Sequence, residues 1–153
     1  MAVETLSHTD YLKSLDACDD AVKWSADYRS LSDCWQKCER SDWMMWLLRK
    51  TDKISKKQAV TYAIWCAESV IGEFEKKYPE DDRPRDATEA AKKWVDEPSE
   101  ENRDAAAYAA RAADAAYYAA RAADAADAAA YAAARKPQAD KLREIIGNPY
   151  EVI

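Results

Sequence analysis

Twenty-one of the thirty residues from Ala105 to Ala134 are alanine, and the other nine are tyrosine, arginine or aspartate. Few folded forms are open to such a run. Alanine has the highest intrinsic helix propensity, and no Gly, Pro or β-branched residue interrupts the segment. At 1.5 Å per residue, a helix over these positions is roughly 45 Å long. Within it, Ala105, Ala109, Ala112, Ala116, Ala119, Ala123, Ala126, Ala130 and Ala133 step by four and three in strict alternation. That is a coiled-coil type seam with the smallest possible knobs, and it favours a close approach of a partner helix. Alanines bury little apolar area each, so bulk must come from the other side of the interface. One alternative is helical low complexity with no packing role. Another, an ice-binding face, would want a row of threonines, and residues 105–134 contain none.

The bulk stands upstream. Five of six tryptophans (Trp24, Trp35, Trp43, Trp46, Trp65) precede residue 79, with Trp94 following. Large aromatics against a flat alanine surface would fill space at native density. Trp at helical spacing reads as core; a ligand-stacking cluster is the alternative. Only Gly72 and Gly147 supply glycine, and no strand-like alternation appears. The expected fold is all-α: a single-domain bundle of about six or seven helices over 1–153. One long alanine-rich helix, about 99–135, packs on the Trp-rich N-terminal helices.

Local signals place the elements. The first helix is expected over Tyr11–Trp24 and the second over Leu31–Glu39. Ser41 reads as the N-cap of Asp42–Lys50. Ser55-Lys56-Lys57-Gln58 fits a capping box, opening a helix that runs to about Tyr78, where Pro79 stops it. Val60, Ala63, Ile64, Ala67, Val70, Ile71 and Phe74 form its expected buried stripe, with Gly72 marking a close helix crossing. A polar linker leads to a helix over Pro84–Val95, and Pro98-Ser99 open the alanine helix. Pro137 is expected to end or kink that helix, before a short one over Ala139–Ile146 that closes at Gly147.

The net charge of −6 is uneven: the segment 79–104 carries 10 acidic and 5 basic side chains. No basic face is available for direct nucleic-acid binding. The acidic segment suits a protein partner with a basic surface, since complementary fields steer association. Asp81, Asp82, Asp96, Glu97, Glu100 and Glu101 are its candidate contact residues. Tyr117, Tyr118, Arg121 and Asp124 are candidates on the alanine helix, because Tyr and Arg are enriched at interface hot spots. Their bland reading is a solvated side of the bundle, as a solubility-giving connector is for the acidic segment.

Catalytic and metal chemistry find no support. The one histidine, His8, lies in a terminus expected to fray, so neither Ser-His-Asp nor Cys-His arrangements have a base. Two glycines cannot build a phosphate loop. Cys34 and Cys38 stand one turn apart without a C-x-x-C pair, so no metal site and no cofactor is expected. The apolar stretches are too short for a membrane helix, and MAVETLSHTD lacks signal-peptide regions. The expectation is a cytoplasmic protein with reduced cysteines Cys18, Cys34, Cys38 and Cys66.

A family resemblance rests on R-S-D-W-M-M-W-L-L at 40–48, K-Q-A-V-T-Y-A at 57–63 and F-E-K-K-Y-P-E-D-D-R-P-R at 74–85. It continues through Ala87–Trp94 and E-P-S-E-E-N-R at 97–103 into the tyrosine- and arginine-studded alanine helix. In these pieces, over about residues 30–146, the chain resembles an immunity-protein family of bacterial polymorphic toxin systems, also found in phages. The resemblance implies a small, all-helical, non-enzymatic protein that binds and neutralises another protein. It carries over no site residue. The target would be a toxin or, for a phage protein, a host defence protein such as a CRISPR nuclease complex. The alternative is a structural protein that self-associates through the alanine seam as a homo-oligomer.

Overall fold

The computed structural model describes residues 6–108 and 127–151, with the side chains of 127–134 left aside. The fold is all-α, and no strand occurs among the described residues. The chain forms two compact units. One combines the segment up to Ile54 with Arg135 onward, and the other is Ser55–Ala134.

The first unit contains α1 (His8–Ser14), α2 (Asp19–Ser25), α3 (Leu31–Lys37) and α4 (Ser41–Lys50). It also holds the C-terminal part of α7 (Asp127–Ile146). Ser7 and Ser30 cap α1 and α3, their hydroxyls accepting from the Asp10 and Asp33 amides at 3.2 and 3.1 Å. Where one helix over Tyr11–Trp24 is expected, two occur. Asp16 takes a left-handed backbone (φ +64°), and the Ala17 amide closes on the Leu12 carbonyl at 3.1 Å. Aspartate tolerates that conformation, so the break needs no glycine.

Ser41 departs from its expected role. It is the first helical residue of α4, and its buried hydroxyl donates to Gln138 Oε1 at 2.8 Å. The core gathers Leu12, Trp35, Met44 and Leu48 around Ala139 and Leu142 of α7, the last two fully buried. The Trp35 indole N–H donates to the Gly147 carbonyl at 2.7 Å, across 112 residues of sequence. Leu31–Lys37 stops two residues short of the expected Glu39, as Cys38 turns extended.

Pro137 does not end the helix, for α7 continues through it to Ile146. A proline removes one backbone hydrogen bond, at a cost of about 3 kcal/mol. The buried Ala139 and Leu142 and the Ser41–Gln138 bond hold the helix beyond that point. Gly147 closes it at φ +75°, its amide donating to the Arg143 carbonyl at 2.8 Å.

The second unit pairs α5 (Lys56–Lys77) with α6 (Arg83–Asp96). The capping box at Ser55 forms as expected: the Gln58 amide donates to Ser55 Oγ at 3.1 Å, and the Ser55 amide to Gln58 Oε1 at 2.9 Å. Two ion pairs join the helices, Lys92 with Glu68 and Arg85 with Glu75. Seven residues up α5 match seven residues down α6, which is antiparallel register. Ile71, Phe74, Pro84 and Thr88 are buried.

The stripe expected on α5 is only partly covered. Ala63 is exposed and Val70 is 45% exposed. A Cβ on Gly72 would meet nothing within 4 Å, so no described helix crosses closely there. Helical backbone resumes at residue 100, after Ser99 Oγ accepts from the Asn102 amide at 3.1 Å, and is described through residue 108.

Candidate functional site

Helix α6 separates the acidic candidates into two groups. Asp81 and Asp82 stand before its first residue, while Asp96 and Glu97 stand at its end. Fourteen residues at 1.5 Å each set the groups roughly 20 Å apart. At the first group Asp81 is largely neutralised. The Arg83 guanidinium grips it through two bonds, Nε to Oδ1 at 2.8 Å and Nη2 to Oδ2 at 2.6 Å. Those hydrogen bonds hold the Asp81 carboxyl below the usual carboxylate range. Asp82 is exposed and makes no capping bond.

The second group is different. Asp96, Glu97, Glu100 and Glu101 are all exposed within six residues. Of these, only Glu100 has an ion pair among the described residues, a loose one with Arg103 at 3.9 Å. The Asn102 side-chain Nδ2 donates to the Glu97 carbonyl at 2.8 Å and fixes the turn that carries the group. About two helical turns beyond Glu101, Tyr108 is 76% exposed. Tyr117, Tyr118, Arg121 and Asp124 lie outside the described residues. So do Ala109, Ala112, Ala116, Ala119, Ala123 and Ala126 of the seam, and the side chains of Ala130 and Ala133. Ala105 is exposed, while Ala106 beside it is half-buried.

His8 is not frayed. It opens α1, and its Nε2 sits 2.8 Å from the Ser25 carbonyl, so that nitrogen carries the proton and donates. Cys34 and Cys38 are buried. Burial pushes the Cys34 thiol up to about 11 and raises Cys38 as well, so both stay neutral at physiological pH. No metal-holding cluster occurs among the described residues, and no described helix is long and apolar enough to cross a membrane.

A family model described as Imm-5 like putative immunity protein matches residues 49–139. The chain belongs to that family. No curated protein and no solved structure gives a match. Both acidic groups fall inside the matched span, which starts at the end of α4 and reaches into α7. The family's description makes protein binding the general role to expect here.

One feature lies N-terminal to the matched span. The first unit holds a half-open cavity of about 370 Å³ lined by four tryptophans, Trp24, Trp35, Trp43 and Trp46, with Asp16 and Asp42 among its other walls. Trp35 is buried, while the other three are half-buried. From sequence these rings read as core. Spacing along a helix places rings on one side but leaves open whether the space between them is filled.

Proposed function

We propose that this protein is a non-enzymatic inhibitor that occludes a protein target with a basic surface. The observation carrying this reading is the exposed group Asp96, Glu97, Glu100 and Glu101, whose one ion pair among the described residues is the loose contact of Glu100 with Arg103. Carboxylates left uncompensated at a surface project a field that speeds encounter with a basic partner. Tyr108, exposed about two turns beyond Glu101 along the same helix, supplies an amphipathic ring of the kind that anchors interfaces. Family membership supports an immunity role, with a toxin as target; a host defence protein such as a CRISPR nuclease complex fits the same chemistry if a phage carries the gene. We place the protein in the cytoplasm, where such targets act.

The test begins with affinity capture of the tagged chain and identification of what it binds. Replacing Asp96, Glu97, Glu100 and Glu101 together with Ser should then slow association roughly tenfold at low salt. It should also flatten the salt dependence of the on-rate, leaving dissociation little changed. An on-rate and salt slope equal to wild type would remove the acidic group from the mechanism. A second reading, self-association through the nine-alanine seam, is favoured by that strict spacing and the open face at Ala105. Sedimentation at micromolar concentration tests it: a monomer unaffected by Ala119→Leu rules it out.

A further inference from the structure

The tryptophan-lined cavity has chemistry of its own. Its volume of about 370 Å³ falls within the roughly 300–1,000 Å³ of small-molecule sites. Most of its surface is apolar, so water inside would find few partners and a largely apolar guest would displace it at little cost. Among the described residues no lysine, arginine or histidine lines it, whereas two aspartates do. Indole faces carry the most negative quadrupole among side chains, which makes tryptophan the strongest cation–π acceptor.

The two carboxylates differ. Asp42 is taken: Arg40 grips it at 2.9 and 2.7 Å, and Arg135 lies 3.9 Å away. Asp16 is exposed, and its carboxylate makes neither a hydrogen bond nor an ion pair among the described residues. Two of the rings already have one of the protein's own cations near them. The Arg40 guanidinium lies 4.3 Å from the Trp43 ring centre, and the Lys50 ammonium 5.8 Å from that of Trp46. Trp24 and Trp43 stand 6.0 Å apart and tilted by 57°, so their faces are splayed rather than stacked shut.

We propose that this cavity binds a hydrophobic organic cation, an ammonium group on an aryl or alkyl body. The body lies against the indoles of Trp24, Trp43 and Trp46, and Asp16 supplies the counter-charge. The cavity is built from residues of the first unit and the acidic group at 96–101 from residues of the second, so the proposal stands whether or not that group meets a target.

The test uses the full chain and two probes of similar shape, benzyltrimethylammonium and the neutral benzyl alcohol, followed by intrinsic tryptophan fluorescence. The ammonium should bind saturably, about tenfold or more tighter than the alcohol. Asp16→Asn should bring the two affinities within about twofold, since it removes the charge and leaves the rings. Asparagine accepts the left-handed backbone at position 16, so the variant keeps its melting temperature. Trp24→Leu should weaken both probes. The proposal is overturned by any of three results: no saturation by about 10 mM probe, equal affinity for both probes, or an Asp16→Asn variant with unchanged preference.

Discussion

Arg143 holds the first unit together in a way its neighbours in sequence do not reveal. Its Nη1 donates to the carbonyls of Trp35 and Cys38, at 2.9 and 2.7 Å, and its Nη2 to Asp140 Oδ1 at 2.8 Å. The end of α3 thus has its orphan carbonyls satisfied by a side chain more than a hundred residues away. Arg143→Met should destabilise the fold by about 3 kcal/mol, the worth of one or two charged hydrogen bonds lost from carbonyls. Arg143→Lys should recover only part, because an ammonium lacks the fork that reaches the two carbonyls through one nitrogen and Asp140 through the other. Urea unfolding followed by tryptophan fluorescence measures both. Equal stability of Arg143→Met and wild type would show that the carbonyls find other donors. In the sequence Arg143 is merely a basic residue in a last turn, favourable to the helix dipole.

Tyr150 gives a second residue-scale test, this time through pH. Thr51 Oγ1 donates its one proton to the Leu47 carbonyl at 2.7 Å, so the Tyr150 hydroxyl, 2.9 Å away, is the donor between them. Burial beside Trp35 pushes the phenol from 10 up to about 12. A pKa raised on folding contributes stability that is full below pH 10 and is lost as pH rises through about 12. The stability difference between wild type and Tyr150→Phe should therefore shrink between those values while staying level from pH 7 to 9. Melting curves of both proteins across that range decide it; a constant difference would mean the phenol ionises freely in the folded chain.

At the scale of elements, the sequence was most informative where the signal is local. The Ser55–Gln58 box, the stop at Pro79 and the close at Gly147 each involve residues within one turn of the element they bound. The break at Asp16 has no such signal, since aspartate enters the left-handed region only with help from its surroundings. Pro137 misleads for the converse reason: a local rule for stopping yields to buried anchors beyond it. The same logic assigns opposite signs to one substitution at the two glycines. Gly72 lies mid-helix with open space where a Cβ would go, so Gly72→Ala should stabilise by about 0.5–1 kcal/mol. Gly147 sits at φ +75°, so Gly147→Ala should cost about 1–2 kcal/mol. Chemical denaturation of the two single variants tests the pair, and a destabilising Gly72→Ala would restore the close crossing.

At the scale of the whole molecule, composition led directly to the all-α class, and two glycines with no alternating strand pattern were enough. The candidate surface was harder to read, because nearness along the chain is not nearness in space. Residues 81–101 form one acidic block in sequence, and α6 divides it into an end where Arg83 grips Asp81 and an end whose one ion pair among the described residues is loose. The cavity was hidden for another reason: helical spacing locates the tryptophans but not the gap they surround.

The chain's division into units raises the question of cooperativity. The first unit is discontinuous, with the core residues Ala139 and Leu142 arriving only after the second has been traversed. Helix α7 is continuous in backbone across residues 134 and 135, where the two units divide. A helix breaks at a cost concentrated in nucleation, so a continuous one tends to melt as a whole. On that ground we propose that 1–153 unfolds as a single domain, in one transition. Circular dichroism, which averages over both units, should then give the same midpoint as tryptophan fluorescence, where Trp24, Trp35, Trp43 and Trp46 report chiefly the first. Leu142→Ala, costing about 2–5 kcal/mol in a fully buried position, should lower both midpoints together. If it lowered the fluorescence midpoint and left part of the helical signal at its original one, the units would be separate domains.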